Sequence, residues 1–294
     1  MRLSELYQSN KPDISIELFP PKTEEAIGEL FKEVERLKKF SPAFFSMTYG
    51  AAGSTRDLTL DLVDQLKNRV GVETLCHLTV VGQSKDETRS TLRFLKEKGI
   101  YNLIALRGDP PKGAEQFKPH PDGFQHAVDL VREVKAMKYF SIAVAGFPEM
   151  HPDSSDRKRD LRYLKEKVDA GADVVITQLF FDNRFFYDYV DLARKAGVEV
   201  PIIPGILPIL SAQQVRRFTA LCKSTIPAEV DRELRKYEND PESATKFGIE
   251  LAAKQCSDLL RTGSPGLHFY CLNRSRSVEA VLRNIGIGKS RGNS

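Results

Sequence analysis

Residues 102–111 read Asn-Leu-Ile-Ala-Leu-Arg-Gly-Asp-Pro-Pro, and this stretch indicates the class of fold. The apolar run 103–106 is typical of a strand buried on both faces, and it stops at the charged pair Arg107 and Asp109, held around Gly108. The prolines that follow exclude a further strand or an immediate helix. Parallel α/β folds place their chemistry at the C-terminal ends of such strands. The alternative interpretation makes Asp109 a turn residue and Arg107 a structural ion-pair partner.

The same pattern of strand and helix recurs along the chain. The other predicted strands are short apolar runs at residues 14–19, 43–49, 74–81, 141–147, 173–181, 201–207 and 267–272. The helices between them carry start signals, such as the N-cap Thr23 and the capping-box spacing of Ser84 with Glu87. Eight units of near-equal length predict a parallel eight-stranded β/α (TIM) barrel, which fits more easily than an open doubly wound sheet.

The pattern predicts one domain. We expect residues 1–13 to be an N-terminal segment, 14–287 a single barrel and 288–294 a basic flexible tail. Extra helices are expected between residues 228 and 260, before strand eight. The chain has 294 residues, 41% of them hydrophobic, which is enough for a full core.

The composition argues against several classes of function. Lys and Arg number 44 against 40 Asp and Glu, and the net charge of +4 is too balanced to indicate a nucleic-acid partner. The four cysteines show no CxxC spacing, which favours a reducing compartment and argues against a zinc or iron–sulfur site. No segment has the apolar length of a membrane span, and residues 1–13 lack the apolar core of a signal peptide. We therefore expect a soluble cytoplasmic protein without a metal.

Polar side chains stand at or just beyond the end of nearly every predicted strand. They are Glu17, Thr48, His77, Arg107, Asp109, His151, Gln178, Asn273 and Arg274. The interior of a packed barrel is mostly branched and apolar, so polar residues recurring at the end where the strands converge suggest a binding pocket.

Several of these residues have a simpler explanation when taken singly. Thr48 suits a strand, His77 suits a core histidine, and Gln214 is as well explained by a capping box as by ligand contact. Glu17 is either a single satisfied barrel carboxylate or, as we favour, a general acid whose pKa is raised by its apolar neighbours. Gln178 is harder to dismiss, because a buried amide needs partners and offers both a donor and an acceptor to a ring edge.

The sequence contains neither a GxGxxG fingerprint after a strand nor a P-loop. Any dinucleotide must therefore lie across the barrel mouth, with its phosphates held by loop amides, helix N-termini and basic residues. Arg107 and the region of Lys158, Arg159 and Lys167 could serve.

Nine motifs, in order, resemble the flavin-dependent methylenetetrahydrofolate reductases. They are Ile16-Glu-Leu-Phe-Pro-Pro-Lys22, Met47-Thr-Tyr-Gly-Ala51, Cys76-His-Leu-Thr79, Ala105-Leu-Arg-Gly-Asp-Pro110, Ala145-Gly-Phe-Pro-Glu-Met-His-Pro152, Lys165-Glu-Lys-Val-Asp-Ala-Gly-Ala-Asp173, Ile176-Thr-Gln-Leu-Phe-Phe181, Ile203-Pro-Gly-Ile206 and Leu267-His-Phe-Tyr-Cys-Leu-Asn-Arg274. The similarity covers roughly residues 14–287. It extends to the catalytic barrel and not to the C-terminal regulatory domain of the animal and fungal enzymes.

The resemblance implies reduction of 5,10-methylenetetrahydrofolate to 5-methyltetrahydrofolate, a step of one-carbon and methionine metabolism. NADH or NADPH would load hydride on N5 of FAD and leave, and the folate would then take its place on the same flavin face. Glu17 would be the general acid that assists opening of the folate's five-membered ring, and Asp109 would lie near flavin and pterin and tune both. We also expect a homo-oligomer.

The resemblance also implies two sets of binding residues. FAD would be held by Thr48, His77, Arg107, Gly108, Asp109, His126, Ala127, Phe147, His151, Asp160, Lys167 and Ala172. The folate would contact Glu17, Asp109, Gln178, Gln214, Phe218, Tyr270 and Arg274. His126 and Phe147 stand where many members have tyrosine, so the hydroxyl contacts to the cofactor are absent there.

Two other functions fit a flavin-binding barrel. One is a different barrel flavoenzyme, similar to proline dehydrogenase, and the pair Glu17 and Gln178 argues against it. The other is a non-catalytic folate- or flavin-binding subunit that receives electrons from a partner protein, which the intact acid disfavours.

Overall fold

The computed structural model describes residues 1–8, 11–49, 56–109 and 117–288 of the chain. Its parallel strands are β1 (Asp13–Leu18), β2 (Phe44–Met47), β3 (Thr74–Thr79), β4 (Asn102–Leu106), β5 (Ser141–Gly146), β6 (Val174–Leu179), β7 (Ile202–Ile206) and β8 (Gly266–Tyr270). Each strand pairs with the next along the chain, and β8 pairs with β1, so the sheet closes on itself. The predicted eight-stranded barrel is confirmed.

Helices follow the strands and surround the barrel. Within the described residues they are α1 (Glu24–Lys38), α2 (Arg56–Gln65), α3 (Lys85–Glu97), α4 (Ala127–Ala136), α5 (Arg157–Asp169), α6 (Asn183–Lys195), α7 (Ala212–Cys222), α8 (Ala228–Lys236), α9 (Pro241–Arg261) and α10 (Ser275–Asn284). The extra helices expected before the last strand are α8 and α9. The predicted basic tail lies outside the described residues, apart from Gly288.

The start signals read from the sequence are used as expected. The Thr23 side chain accepts a hydrogen bond from the Ala26 N–H at the start of α1. Ser84 and Glu87 form the reciprocal contacts of a capping box at the start of α3. These contacts satisfy backbone donors that the first turn of each helix leaves unpaired.

The helix expected over residues 57–69 departs from the prediction. The α-helix ends at Gln65, and the chain continues as one wider π-helical turn over Leu66–Val70. Gly71, at φ 72°, ends this turn in the left-handed region, and its N–H bonds to the Leu66 carbonyl. The spacing of apolar residues predicts which face of such a segment is buried. It does not distinguish an α-helix from a short π-helical turn.

The N-terminal segment closes the end of the barrel at which the strands begin. A short 3₁₀ turn at Leu3–Glu5 buries Leu3, Leu6 and Tyr7 against the inward side chains of the strands, including Phe44. The Leu3 N–H donates to Asn102 Oδ1 over 3.0 Å. The apolar side chains of the N-terminal segment, Leu3, Leu6 and Tyr7, are therefore part of the core of the barrel.

Among the described residues, we find no helix with the length and apolar character needed to cross a membrane.

Candidate active site

A buried acid lies between two histidines near the C-terminal ends of the strands. Glu17 of β1 places Oε2 3.3 Å from His77 Nε2 on β3 and 3.6 Å from His268 Nε2 on β8. The exposed fractions of these residues are 7%, 7% and 1%. His268 Nδ1 lies 2.8 Å from Ser15 Oγ, so the second ring nitrogen is also held. We call Glu17, His77 and His268 the acid cluster.

The acid cluster corrects the expected ionisation of Glu17. Burial by itself raises the pKa of Glu17, but interactions with His268 and then His77 outweigh burial and hold the pKa at about 2. The prediction of a raised pKa is therefore wrong for the protein without a ligand. Ile16 and Leu18, which suggested apolar surroundings, point to the other face of the strand, whereas the histidines come from β3 and β8.

His268 is a functional candidate that the sequence reasoning missed. It precedes Tyr270 by two residues on β8, and alternate strand residues face the same side. Because Tyr270 was expected to contact the folate, the same alternation could have placed His268 on the same side of the strand.

The exit of β4 carries the charged pair that opened the sequence analysis. Arg107 Nη1 lies 2.8 Å from Asp153 Oδ2, and the guanidinium stacks over the Phe117 ring at 5.0 Å. Gly108 has φ +89°, and a β-carbon there would stand 2.5 Å from Val81 Cγ1, so only glycine fits. Asp109 is exposed, and the prolines after it lie outside the described residues.

The loop after β5 contributes His151. Its Nδ1 accepts a hydrogen bond of 3.0 Å from the Asp153 N–H, and its ring meets Phe147 edge-on at 4.6 Å. Burial and the positive charge of Arg107 lower the pKa of His151, which keeps the ring neutral near pH 7. Arg157 donates to the carbonyls of Phe147 and Pro148 and so fixes the backbone of this loop.

Two buried ionisable groups come from α5. Lys167 Nζ donates to the Ala145 carbonyl over 2.7 Å, and burial lowers the pKa of this lysine to about 8. Asp160 lies 3.6 Å from Arg157, and burial raises its pKa. Both groups carry charge in positions shielded from water, where a charged ligand interacts strongly.

A bulge in β6 arranges the side of the pocket that carries Gln178. The register with β7 shifts between Ile176 and Leu179, and the Thr177 carbonyl accepts a hydrogen bond of 2.7 Å from the Tyr270 hydroxyl. The Gln178 side-chain oxygen accepts from the Leu179 N–H over 2.9 Å. Its NH₂ group has no partner among the described residues and remains available to a ligand.

The helix α7 supplies a wall opposite the acid cluster. Gln214 Oε1 accepts a hydrogen bond of 2.8 Å from the Leu210 N–H, and the Ser211 hydroxyl accepts one of 3.1 Å from the Gln214 N–H. Only the Ser211 half of the capping box weighed as an alternative is therefore formed. Phe218 and Cys222 pack with Tyr270 in one apolar cluster. Burial, and then the negative charges of Asp109 and Glu17, raise the pKa of Cys222 to about 11. The end of α7 therefore faces both acids.

The remaining predicted residues are distributed as follows. The Thr48 N–H donates to the Leu18 carbonyl just beyond β2, and His126 and Ala127 begin α4, with His126 exposed. Arg274 is exposed at the start of α10. Ala172 is the one that the structure does not bring to this end, because it precedes β6 and lies where the strands begin. In the described part of the chain, no group of three or more His, Cys, Asp or Glu side chains could hold a metal ion.

The chain is similar to known proteins over nearly its whole length. Residues 2–286 match the family model described as methylenetetrahydrofolate reductase. A rice protein named probable methylenetetrahydrofolate reductase (NADH) is 40% identical over 97% of this chain and 50% of its own length. A Salmonella typhimurium 5,10-methylenetetrahydrofolate reductase is 37% identical over 94% of this chain and 91% of its own. The chain spans about half the length of the plant relatives that it matches.

The fold is also similar to that of a solved structure. An uncharacterised protein from Clostridium thermocellum, reported to bind two copies of 5-methyl-5,6,7,8-tetrahydrofolic acid, aligns with a TM-score of 0.56. The alignment covers 94% of each chain at 15% sequence identity. At that identity the likeness supports the fold alone.

Proposed function

The chain belongs to the methylenetetrahydrofolate reductase family, and from this premise we propose that it reduces 5,10-methylenetetrahydrofolate to 5-methyltetrahydrofolate with electrons from a reduced nicotinamide. The observation that carries the proposal is the acid cluster, which is buried near the end of the barrel where the other candidate residues collect. Opening the five-membered ring of the folate requires a proton on the departing nitrogen. The names of the plant relatives, which specify NADH, support NADH as the donor.

The proposal includes FAD as the bound cofactor. FAD would supply the hydride chemistry, accepting two electrons from the nicotinamide and passing them to the folate. Arg107 and Lys167 carry positive charges that would interact with its diphosphate. Gly108 has no side chain, so the cofactor could approach the backbone closely there. Thr79 Oγ1 and Gln83 Oε1, at and beyond the end of β3, are buried without a hydrogen-bond partner among the described residues. Such atoms are the kind that a bound polar ligand satisfies.

The proposed contacts follow the two sets implied by the family. The cofactor would be held by Thr48, His77, Arg107, Gly108, Asp109, His126, Ala127, Phe147, His151, Asp160 and Lys167. The folate would contact Glu17, Asp109, Gln178, Gln214, Phe218, Tyr270 and Arg274. Ala172 is left out, because it lies at the opposite end of the barrel.

The acid cluster, rather than Glu17 alone, would hold the proton used in the reaction. Glu17 is ionised without a ligand, so Oε2 must take up a proton before the carboxyl can donate one. His77 and His268 both lie within reach of that oxygen. Ser15 holds the far nitrogen of His268 and so orients its ring toward Glu17.

The first test is the visible absorption spectrum of the purified protein loaded with FAD. Under anaerobic conditions, NADH or NADPH should bleach the flavin band, and methylenetetrahydrofolate should restore it. A band that neither nicotinamide bleaches would contradict the proposed donor, and a bleached band that folate does not restore would contradict the proposed acceptor.

The role of Glu17 is tested with the two half-reactions measured separately. Glu17→Gln should slow reoxidation by the folate about 10²-fold or more and leave flavin reduction by the nicotinamide unchanged, because only the folate step needs the proton. An equal loss in both half-reactions would contradict the assignment.

A further inference from the structure

A junction joins the loop after β5 to the segment that follows α7. The Glu149 side chain accepts a hydrogen bond of 2.9 Å at Oε2 from the Thr225 N–H, 76 residues away in the sequence. Lys223 Nζ donates to the Pro152 carbonyl over 3.3 Å, and Ser224 Oγ donates to the Leu179 carbonyl over 3.0 Å. Three successive residues after α7 are thus attached to the exits of β5 and β6.

Each side of the junction contains a residue in the left-handed region of the backbone. Met150 has φ 77° and Lys223 has φ 53°, and neither is a glycine. Such conformations are costly for ordinary residues and persist where the surrounding contacts determine them. The contacts of the junction therefore hold both residues in backbone conformations that cost free energy. Such strain is more typical of functional sites than of simple loop packing.

Glu149 is the ionisable member of the junction whose side chain is withdrawn from water. Oε1 is buried without a hydrogen-bond partner among the described residues, and burial raises the pKa of the carboxyl. A residue that served only to cover the surface would leave both oxygens in solvent. The side chain is instead half-buried, with one oxygen removed from water, and is directed at Thr225.

The two sides of the junction carry different parts of the candidate site. The loop after β5 carries Phe147 and His151, assigned to the cofactor, while α7 carries Gln214 and Phe218, assigned to the folate. The loop is held independently by Arg157 and by the pairing of Asp153 with Arg107. The end of α7 packs through Phe218 and Cys222 into the apolar cluster that includes Tyr270. Toward the loop after β5, the hydrogen bonds described for this end of α7 are those of the junction.

We propose that Glu149 is a positioning residue that fixes the end of α7, and with it the folate wall of the pocket, relative to the cofactor loop. The inference rests on the proposed function. It concerns a side chain that touches neither ligand in the proposed assignment and acts through Thr225.

The test compares Glu149→Ala with Glu149→Gln in the full chain loaded with FAD. The alanine variant should weaken binding of 5-methyltetrahydrofolate, and raise KM for methylenetetrahydrofolate, about tenfold, while kcat and FAD affinity stay within twofold. The glutamine variant keeps an acceptor for the Thr225 N–H and should restore both folate constants to near the wild-type values. Amide hydrogen exchange should accelerate in a peptide containing residues 223–226 only in the alanine variant.

Asp173→Ala is the matched control. Asp173 also accepts a long-range backbone hydrogen bond, 2.8 Å from the Ile142 N–H, but at the opposite end of the barrel. It should lower thermal stability without changing the folate constants. An equal rise in KM in this control would overturn the inference, since it would make the effect one of general stability.

The remaining outcomes also decide the matter. Unchanged folate constants in Glu149→Ala, or a glutamine variant as impaired as the alanine variant, would overturn the positioning role and leave the proposed function intact. A loss of FAD affinity in place of folate affinity would overturn it as well. A wild-type protein whose flavin is reduced by a nicotinamide but which binds no folate would overturn both proposals.

Discussion

The low pKa of Glu17 makes the unfolding free energy depend on pH in a way that can be worked out in advance. The pKa falls from an ordinary 4.5 to about 2 in the folded protein. A shift of that size corresponds to about 3 kcal/mol of stability, at about 1.4 kcal/mol for each pKa unit. Because the folded pKa is lowered, this stability is present above the unfolded pKa and is lost as the pH falls toward 2.

The measurement is urea unfolding of the wild type and of Glu17→Gln at intervals between pH 5 and pH 3, followed by circular dichroism. The amide cannot ionise, so the difference in unfolding free energy between the two proteins isolates the titration of Glu17. The unfolding free energy of the wild type, minus that of the variant, should decrease by about 2 kcal/mol between pH 5 and pH 3.

Glu97→Gln is the control, because Glu97 is exposed on α3 and its variant reports the loss of a surface carboxyl. A wild-type advantage that stays constant between pH 5 and pH 3 would refute the argument. An advantage that grows as the pH falls would show that burial outweighs the histidines and that the raised pKa expected from the sequence was right.

Three further predictions concern the rest of the mouth. Gly108→Ala should lose about 1–3 kcal/mol of stability and bind FAD more weakly, because the added β-carbon meets Val81 and the φ angle is +89°. Thermal unfolding and flavin fluorescence titration measure the two effects, and normal FAD binding would argue against a cofactor contact there. Tyr270→Phe removes the 2.7 Å hydrogen bond to the Thr177 carbonyl, which should lower the unfolding free energy in urea by about 1 kcal/mol and raise KM for the folate. An unchanged KM would show that the β6 bulge does not affect substrate binding. FAD affinity should fall as the pH rises past the Lys167 pKa of about 8, because the ammonium loses its charge there. Lys167→Met should abolish this pH dependence, and a variant that still shows the dependence would point to another group.

The barrel could be predicted from the sequence because each strand is a compact apolar run. A run such as 103–106 carries its own signal, and eight of them at even spacing leave few architectures. The residues at the strand ends could be predicted for the same reason, since parallel strands in a closed barrel all exit at one end. Glu17 and His77 were brought together on this logic alone.

What failed depended on contacts that are distant in sequence. The pKa of Glu17 is determined by His268, 251 residues further along the chain, and no local pattern reports that neighbour. The N-terminal segment shows no apolar periodicity, so the packing of Leu3, Leu6 and Tyr7 into the barrel could not be predicted. Ala172 followed from family resemblance only, and the strand boundary at Val174 places it at the other end.

The closure of the barrel by Leu3, Leu6 and Tyr7 has a consequence for isotope exchange. These residues are buried at the end where the strands begin, on the side of the barrel away from the mouth. A ligand that covers the mouth would then separate the acid cluster from bulk water on both sides. We expect a proton held there to be retained while the ligand is bound. In a rapid switch to deuterated buffer, the first catalytic turnover should therefore show a smaller solvent isotope effect on its rate than later turnovers.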